Sequence, residues 1–338
     1  MDFEKEEYTP MIDTKKPKPK LGAKAGNTQE FSSLNGVNVK DKAAREDMEE
    51  LAEYIGTLPP EPWQPLEDGY SNFWFELTND TLSPWLNFSA KTDSAVIDWG
   101  DGSGEVALDT LTPTHTYSKP GRYIIKVKGV TGIEAQNGLP RNNYSLVMKY
   151  VELNSEVTVL INNAFKHCAG LTKIVIHGTV SMGNYVFYGC TSLESIQGYN
   201  GNATGSSFYL CTNLKEYTFG NTATNISGSA FYFCNRMTSI VLPASISYIG
   251  AYSFRLCESL NEIHVQATTP PTCYDTAFTS IMPNYIIYVP VGTGETYKAA
   301  SGWSTYADHI LEEGQVRNRA MLANFNDEPE DDEPEETR

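Results

Sequence analysis

The histidines and cysteines are the side chains of this chain best suited to metal binding or nucleophilic attack. The five histidines lie at positions 115, 167, 177, 264 and 309, and none of their separations is typical of a metal site. His167 precedes Cys168, but neighbours in a chain rarely face one another. There is no C-x-x-C pair, no Gly-rich phosphate loop and no G-x-S-x-G turn. The sequence therefore predicts a protein that is not an enzyme, with no catalytic, cofactor-binding or metal-binding residues.

The cysteines instead belong to an internal repeat. Phenylalanines at 165, 187, 208, 231, 254 and 278 are 22, 21, 23, 23 and 24 residues apart. A cysteine follows each of the first five phenylalanines by three positions, and a leucine or methionine and then an isoleucine or tyrosine come at further steps of three. Stacked units of this length share a continuous core. Stacking aligns the repeated cysteines, which we expect to form a buried structural ladder of small apolar groups: Cys168, Cys190, Cys211, Cys234 and Cys257. The redox state of Cys273, outside the ladder, stays open.

The unit A-F-x-x-C-x-x-L-x-x-I resembles the BspA-like leucine-rich repeat. The resemblance implies a solenoid over residues 140–310. The segments Tyr288–Pro290 and Tyr297–Trp303 resemble the cap that closes such arrays. A cap is physically required because the last unit otherwise exposes its core edge.

Tyrosines recur beside the repeated phenylalanines. Exposed tyrosine offers a large contact area with little loss of entropy on binding, so these residues form a candidate surface for a host-surface protein or glycan. The alternative is that they pack between adjacent coils. The candidate set is Tyr185, Tyr188, Tyr209, Tyr232 and Tyr252.

Residues 63–130 show short alternating runs bounded by turn residues, which predict half-buried strands. An Asp-Gly turn near 101 predicts a hairpin. Trp99–Gly102, His115, Tyr117 and Pro120–Tyr123 resemble the motifs of a PKD-type immunoglobulin-like β-sandwich, which implies a structural spacer. Asp98 and Asp101 could bind calcium or could hydrogen-bond the local backbone.

The N-terminal part of the sequence lacks the strand pattern and shows two others. Alternating Lys and Pro predict an extended arm over residues 1–35, and residues 36–58 carry a heptad seam that ends at Pro59. This pattern favours a short coiled coil, in a dimer or, as we prefer, a homotrimer. The alternative is a helix that packs on its own chain. The predicted trimerisation residues are Val37, Ala44, Met48, Leu51, Ile55 and Leu58.

The formal net charge of −17 opposes binding to nucleic acid. Eight of the ten residues from 327 to 336 are acidic, so we expect residues 311–338 to form a disordered tail. No apolar run is long enough to insert into a membrane, and the N-terminal sequence has no apolar core of a secretory signal.

Together these features predict a mainly β, modular protein: an arm, a coiled coil, an immunoglobulin-like sandwich and a leucine-rich-repeat solenoid. Residues 34–45 are similar to stretches near the base of phage fibre proteins. This resemblance implies a trimeric bacteriophage fibre in the virion, with a head fibre favoured over a tail fibre. Its arm would bind a capsid or tail protein. The alternative is a bacterial cell-surface or secreted BspA-like adhesin, which would work as a monomer.

Overall fold

The computed structural model describes residues 69–78, 83–84, 86–135 and 148–315. The predicted arm at 1–35 and the coiled coil at 36–58, with all six trimerisation residues, lie outside the described residues. So does most of the acidic tail. The described residues all belong to one unit, Pro60–Arg338.

The first four strands form an antiparallel sheet. They are β1 (Tyr70–Leu77), β2 (Phe88–Asp98), β3 (Glu105–Ala107) and β4 (Gly121–Ile133). Alternate residues of β1 point into the core, and Phe73, Phe75 and Leu77 are buried. β1 pairs with β4, and β2 pairs with both β4 and β3. The predicted hairpin is β2–β3, although its loop runs from 99 to 104 and is longer than a two-residue turn.

The motif residues of this sheet lie together. The Trp99 and His115 rings stack with their centroids 4.7 Å apart, and the Tyr117 hydroxyl donates a hydrogen bond to the Trp99 carbonyl over 2.6 Å. Gly100 has a positive φ of 71°, and a Cβ there would lie 2.3 Å from the carbonyl oxygen of Ile124. This turn therefore requires glycine.

Two sets of short parallel strands build the solenoid. The first set is β5 (Met148–Leu153), β7 (Lys173–Ile176), β9 (Ser195–Gln197), β11 (Ser239–Leu242), β13 (Glu262–Val265), β15 (Ile286–Val289) and β16 (Ile310–Glu312). The second set is β6 (Val159–Leu160), β8 (Ser181–Met182), β10 (Asn225–Ile226), β12 (Tyr248–Ile249) and β14 (Thr272–Cys273). Because β16 includes Leu311, the tail begins later than the predicted residue 311.

The antiparallel sheet and the solenoid are joined at two places, through β6, which pairs parallel with β4, and through β5. This strand pairs antiparallel with β1 on one side and parallel with β7 on the other. Among the described residues one sheet therefore runs in the order β3-β2-β4-β1-β5-β7-β9. The predicted immunoglobulin-like sandwich needs two packed sheets, whereas the described strands of residues 70–133 form one. The edge of β1 that does not face β4 pairs with the first solenoid strand, β5, so the sheet continues into the solenoid.

The solenoid core is a stack of phenylalanine rings. Neighbouring rings from Phe165 to Phe278 have centroids 5.1–5.5 Å apart and lie nearly parallel. All six are at most 2 % exposed. These rings hold the coils in register and so fix the position of every residue beside them.

One coil has no strand at the first-set position. Between β9 and β11 the residue equivalent to the repeated isoleucine is Tyr217, whose ring packs edge-on against Phe208 and Phe231. Its hydroxyl is buried without a hydrogen-bond partner. Tyr217 occupies the place of the repeated isoleucine here, and the sheet of β11, β13, β15 and β16 is separate from the first.

The C-terminal end is closed by α1 (Gly294–Ala299), a 3₁₀ helix (Ser304–His309) and β16. Tyr297 and Trp303 are fully buried. The Trp303 indole N–H donates to the Pro271 carbonyl over 2.7 Å, and the Tyr297 hydroxyl donates to the Ala267 carbonyl over 2.6 Å. These side chains cover the last coil, as a solenoid cap must. Among the described residues there is no helix of the length and hydropathy needed to span a bilayer.

Candidate ligand-binding surface

The residue after each repeated phenylalanine lies at the same place on successive coils. In five consecutive coils this position is occupied by Lys166, Tyr188, Tyr209, Tyr232 and Arg255, which we call the tyrosine column. The Tyr188 and Tyr209 rings stack at 4.7 Å, and the Tyr209 and Tyr232 rings at 4.6 Å. Lys166 lies 5.0 Å from the Tyr188 ring and Arg255 lies 5.9 Å from the Tyr232 ring. The column is therefore a stack of three rings with a cation at each end.

Main-chain hydrogen bonds between coils hold the column in place. The His167 N–H donates to the Tyr188 carbonyl over 2.7 Å, and the Gly189 N–H donates to the Tyr209 carbonyl over 2.7 Å. The Leu210 N–H donates to the Tyr232 carbonyl over 2.9 Å. The carbonyl groups of all three tyrosines are thus used within the solenoid, and only their side chains are available to a ligand.

Two further tyrosines flank the column. Tyr185 and Tyr252 lie two residues before their phenylalanines and are 44 % and 40 % exposed. Lys166 is 5.6 Å from the Tyr185 ring, and Arg255 is 5.3 Å from the Tyr252 ring. Each terminal cation therefore contacts one ring of the column and one exposed ring.

The backbone at these flanking positions is unusual for tyrosine. Tyr185 and Tyr252 have φ of 60° and 59°, in the left-handed region that bulky side chains rarely adopt. In the two coils between them the equivalent residues are Ser206 and Ser229, which share the same conformation. Two exposed aromatic rings thus bound a stretch of small side chains. Because the left-handed conformation recurs at this position from coil to coil, it is a property of the repeat.

The cations of the column are poorly compensated. No described carboxylate lies within ion-pair distance of Lys166 or Arg255, and the Arg255 Nε is buried without a hydrogen-bond partner. Burial, and then the neighbouring Tyr232 and Tyr188, raise the pKa of Tyr209. The hydroxyl of Tyr209 is therefore neutral at physiological pH and able to donate a hydrogen bond.

All five tyrosines of the predicted surface lie in this region, and they divide between the two interpretations offered by the sequence. Tyr188, Tyr209 and Tyr232 pack against one another between coils, whereas Tyr185 and Tyr252 are exposed. The sequence analysis missed Lys166 and Arg255. Their signal was the repeat register, since both occupy the position of the stacked tyrosines.

The cysteine ladder lies beside the phenylalanine stack. Each of its five thiols is at most 2 % exposed. Four thiols donate hydrogen bonds to the phenylalanine carbonyl of the preceding coil over 3.0–3.3 Å, from Cys190, Cys211, Cys234 and Cys257. Burial raises the pKa of the Cys168 thiol to about 12. Such a thiol is a poor nucleophile, because the reactive species is the thiolate.

His167 and Cys273 add no chemistry to this ladder. The His167 ring packs edge-on against Tyr188 at 5.3 Å and is exposed, unlike the Cys168 thiol. Burial, followed by the charge of Lys166, lowers the pKa of His167. Cys273 is a free thiol that is 6 % exposed, and burial raises its pKa to about 12.

The proposed calcium ligands use their oxygens locally. Asp98 accepts a hydrogen bond from the Gly100 N–H over 2.9 Å, and Asp101 accepts one from the Ser103 N–H over 3.0 Å. Asp101 also contacts His115 Nε2 at 2.8 Å. These contacts favour the turn-stabilising interpretation of both residues. Over the described ranges no group of three or more metal-ligating side chains is found.

A cleft separate from the column lies where β1 meets β5, and it extends to β7 and β9. This cleft of about 350 Å³ is open to solvent. The Trp74 and Tyr150 rings, 4.9 Å apart, form part of its wall, together with Lys149 and Lys173. The Trp74 indole nitrogen is buried without a partner.

Parallel coils of this length with a repeated apolar core define a leucine-rich-repeat solenoid. A family model described as "BspA type Leucine rich repeat region" matches residues 143–205 and 202–288 in six copies. Residues 143–288 therefore consist of BspA-type leucine-rich repeats, and this part of the sequence prediction is confirmed.

The solved structures similar to this chain include leucine-rich-repeat proteins of several bacteria. The leucine-rich repeat protein of T. pallidum is 23 % identical, with 41 % of this chain and 68 % of that chain covered and a TM-score of 0.35. The pneumococcal vaccine antigen PcpA is 20 % identical, with 49 % and 42 % covered and a TM-score of 0.41. A leucine-rich cell surface protein of Faecalibacterium prausnitzii A2-165 is 16 % identical, with 55 % and 61 % covered and a TM-score of 0.34.

The similarity spans from about two fifths to two thirds of the length of these three chains. A comparison with curated proteins finds no match. None of these comparisons supports the phage fibre, the PKD-like domain, the coiled coil or the trimer.

Proposed function

We propose that this protein is a cell-surface or secreted adhesin that binds its target through the tyrosine column and the two flanking tyrosines. Proteins with BspA-like repeats are typically bacterial surface adhesins, and the six matched copies over residues 143–288 carry the proposal. The adhesin was the alternative in the sequence analysis, and the repeat family favours it over the phage fibre.

The composition of the column supports a binding role. Aromatic and arginine side chains are enriched where proteins bind their partners. Tyr185 and Tyr252 have exposed rings, and rigid solenoid coils hold both at fixed positions, so little entropy is lost when a ligand contacts them. The buried cysteine ladder offers no reactive thiol, and we propose that the protein acts by binding, without catalysis.

The experiment compares variants of the full chain on a panel of immobilised mucins, extracellular-matrix proteins and polysaccharides. The double substitution Tyr185→Ala and Tyr252→Ala removes both exposed rings. We expect it to weaken binding at least about tenfold, because loss of an aromatic hot-spot contact costs about 2 kcal/mol or more.

The matched control is Tyr274→Ala. This tyrosine is 47 % exposed and packs against Tyr248, outside the column, so its removal should leave binding unchanged. A wild-type chain that binds no member of the panel would refute the adhesin. Equal binding by the double variant and the wild type would show that another surface is used.

A further inference from the structure

We infer that the tyrosine column binds a linear polysaccharide that carries carboxylate groups, with Arg255 and Lys166 as its two anionic anchors. This inference rests on the proposed function and names the class of ligand that the same surface recognises.

The first argument is the charge of the column. The protein has a net charge of −17, yet both ends of this column are cations without an ion-pair partner among the described residues. Both residues are partly exposed, so a ligand carboxylate can approach the guanidinium Nη atoms of Arg255 and the ammonium group of Lys166. Guanidinium pairs especially well with carboxylate.

The second argument is that the remaining groups suit a sugar. The rings of Tyr185 and Tyr252 are exposed, and an aromatic face packs well against the apolar face of a pyranose. The hydroxyls of Tyr188, Tyr209 and Tyr232 make no hydrogen bond with the other described residues, so they can donate to and accept from sugar hydroxyls.

The third argument separates a polysaccharide from an acidic peptide. An extended peptide commonly binds by adding main-chain hydrogen bonds to a free edge. Here the carbonyls of the three stacked tyrosines already accept hydrogen bonds from the preceding coil. The column therefore presents side chains alone, which favours a ligand recognised through hydroxyl and carboxylate groups.

The geometry also sets the length of the ligand. Lys166 and Arg255 lie four coils apart, and coils spaced like neighbouring β-strands place them roughly 19 Å from each other. Only an oligomer that spans this distance reaches both cations. We therefore expect affinity to rise steeply with chain length until the span is reached, and little beyond it.

The experiment is isothermal titration calorimetry of the full chain with oligogalacturonates of increasing length. The fully methyl-esterified oligomers have the same backbone without the charge and form the matched ligand control. We expect the acidic oligomers long enough to span the column to bind at least about tenfold more tightly than their esters, because hydrogen bonds to charged groups are the stronger ones.

Lys166→Gln and Arg255→Gln should each reduce this preference for the acidic oligomers, and the double variant should bind the acidic oligomers and the esters equally. Arg255→Lys keeps the charge but not the guanidinium geometry. We expect its affinity for the acidic oligomers to lie between that of Arg255→Gln and that of the wild type. Arg236→Gln, at an exposed arginine outside the column, should behave as wild type. Thermal unfolding of each variant verifies that it folds.

Equal affinity for acid and ester would overturn the inference, as would tighter binding of poly-glutamate than of the oligogalacturonates. If neither oligomer binds while Tyr185 and Tyr252 remain essential for another ligand of the panel, the adhesin stands and the acidic polysaccharide is excluded. If the wild-type chain binds no ligand of the panel, both the adhesin and the acidic polysaccharide are refuted.

Discussion

Replacing Phe208 by alanine tests the packing on which the whole surface depends. Phe208 is fully buried, and its ring stacks on Phe187 at 5.4 Å and on Phe231 at 5.1 Å. A buried Phe→Ala substitution costs about 3–5 kcal/mol, which combines the lost transfer free energy with the cavity that remains. We expect a value of about 4 kcal/mol here, because the rigid coils on both sides cannot collapse into the space.

The assay is urea and thermal unfolding followed by circular dichroism. For a unit of this size a loss of 4 kcal/mol lowers Tm by roughly 12 °C. Phe208→Leu keeps much of the volume and should cost less, about 1–1.5 kcal/mol. Val241→Ala is the control at a side chain that is 47 % exposed, and its effect should stay within about 0.5 kcal/mol. If Phe208→Ala were as mild as Val241→Ala, the phenylalanine stack would not be the core of the solenoid.

Three further predictions concern other parts of the chain. Hydrogen bonds from Ser103 and then His115 lower the pKa of Asp101 from 3.8 to about 2. The charged carboxylate therefore stabilises the fold above pH 3.8, and this contribution is lost as the pH falls towards about 2. Asp101→Asn should flatten the dependence of Tm on pH in that window, and an unchanged profile would contradict the contact. All six cysteines are buried and free, so a thiol reagent should label none of them at neutral pH in the native protein and six after unfolding in urea. Labelling of the native protein would show that the buried thiols are accessible to the reagent. A chain that begins at residue 140 leaves the edge of β5 without β1, and we expect it to aggregate in light scattering. A chain that begins at Trp63 keeps β1 and should be a soluble monomer. A soluble monomer beginning at residue 140 would refute the role of β1.

The solenoid could be predicted from the sequence because each coil places the same residue types at the same core positions. A phenylalanine, a cysteine and an aliphatic residue at steps of three recur at every turn, so five copies reinforce one interpretation. The strandless coil could not be predicted as easily. Tyr217 fits the pattern as a large apolar residue, and tyrosine is common in strands, so only the folded chain shows that no strand forms between β9 and β11.

The pairing of the N-terminal strands could not be predicted from the sequence, for a different reason. Alternating apolar residues in β1 and β4 indicate strands with one buried face, but they do not say which strand edge pairs with which. One edge of β1 pairs with β4 and the other with β5, which lies more than 70 residues later in the chain. The free edge of the first coil pairs with the free edge of β1, and the two edges come together only in the folded chain.

The candidate surface was found in part, because tyrosine was sought by residue type. Tyr188, Tyr209 and Tyr232 stand out as aromatic residues next to phenylalanine. Lys166 and Arg255 differ from them in type and share only their place in the repeat. A search by register would have found all five, since stacking brings equivalent positions together whatever side chain they carry.

The strandless coil has a mechanical consequence for an adhesin under load. The coil that contains Tyr217 lacks the first-set strand pairing that joins its neighbours, so we expect it to deform more easily than they do under tension or bending. The same coil carries Tyr209, the middle ring of the tyrosine column. A ligand that spans Lys166 and Arg255 would cross this coil, so that occupying the surface would stiffen the solenoid at a point of weaker pairing.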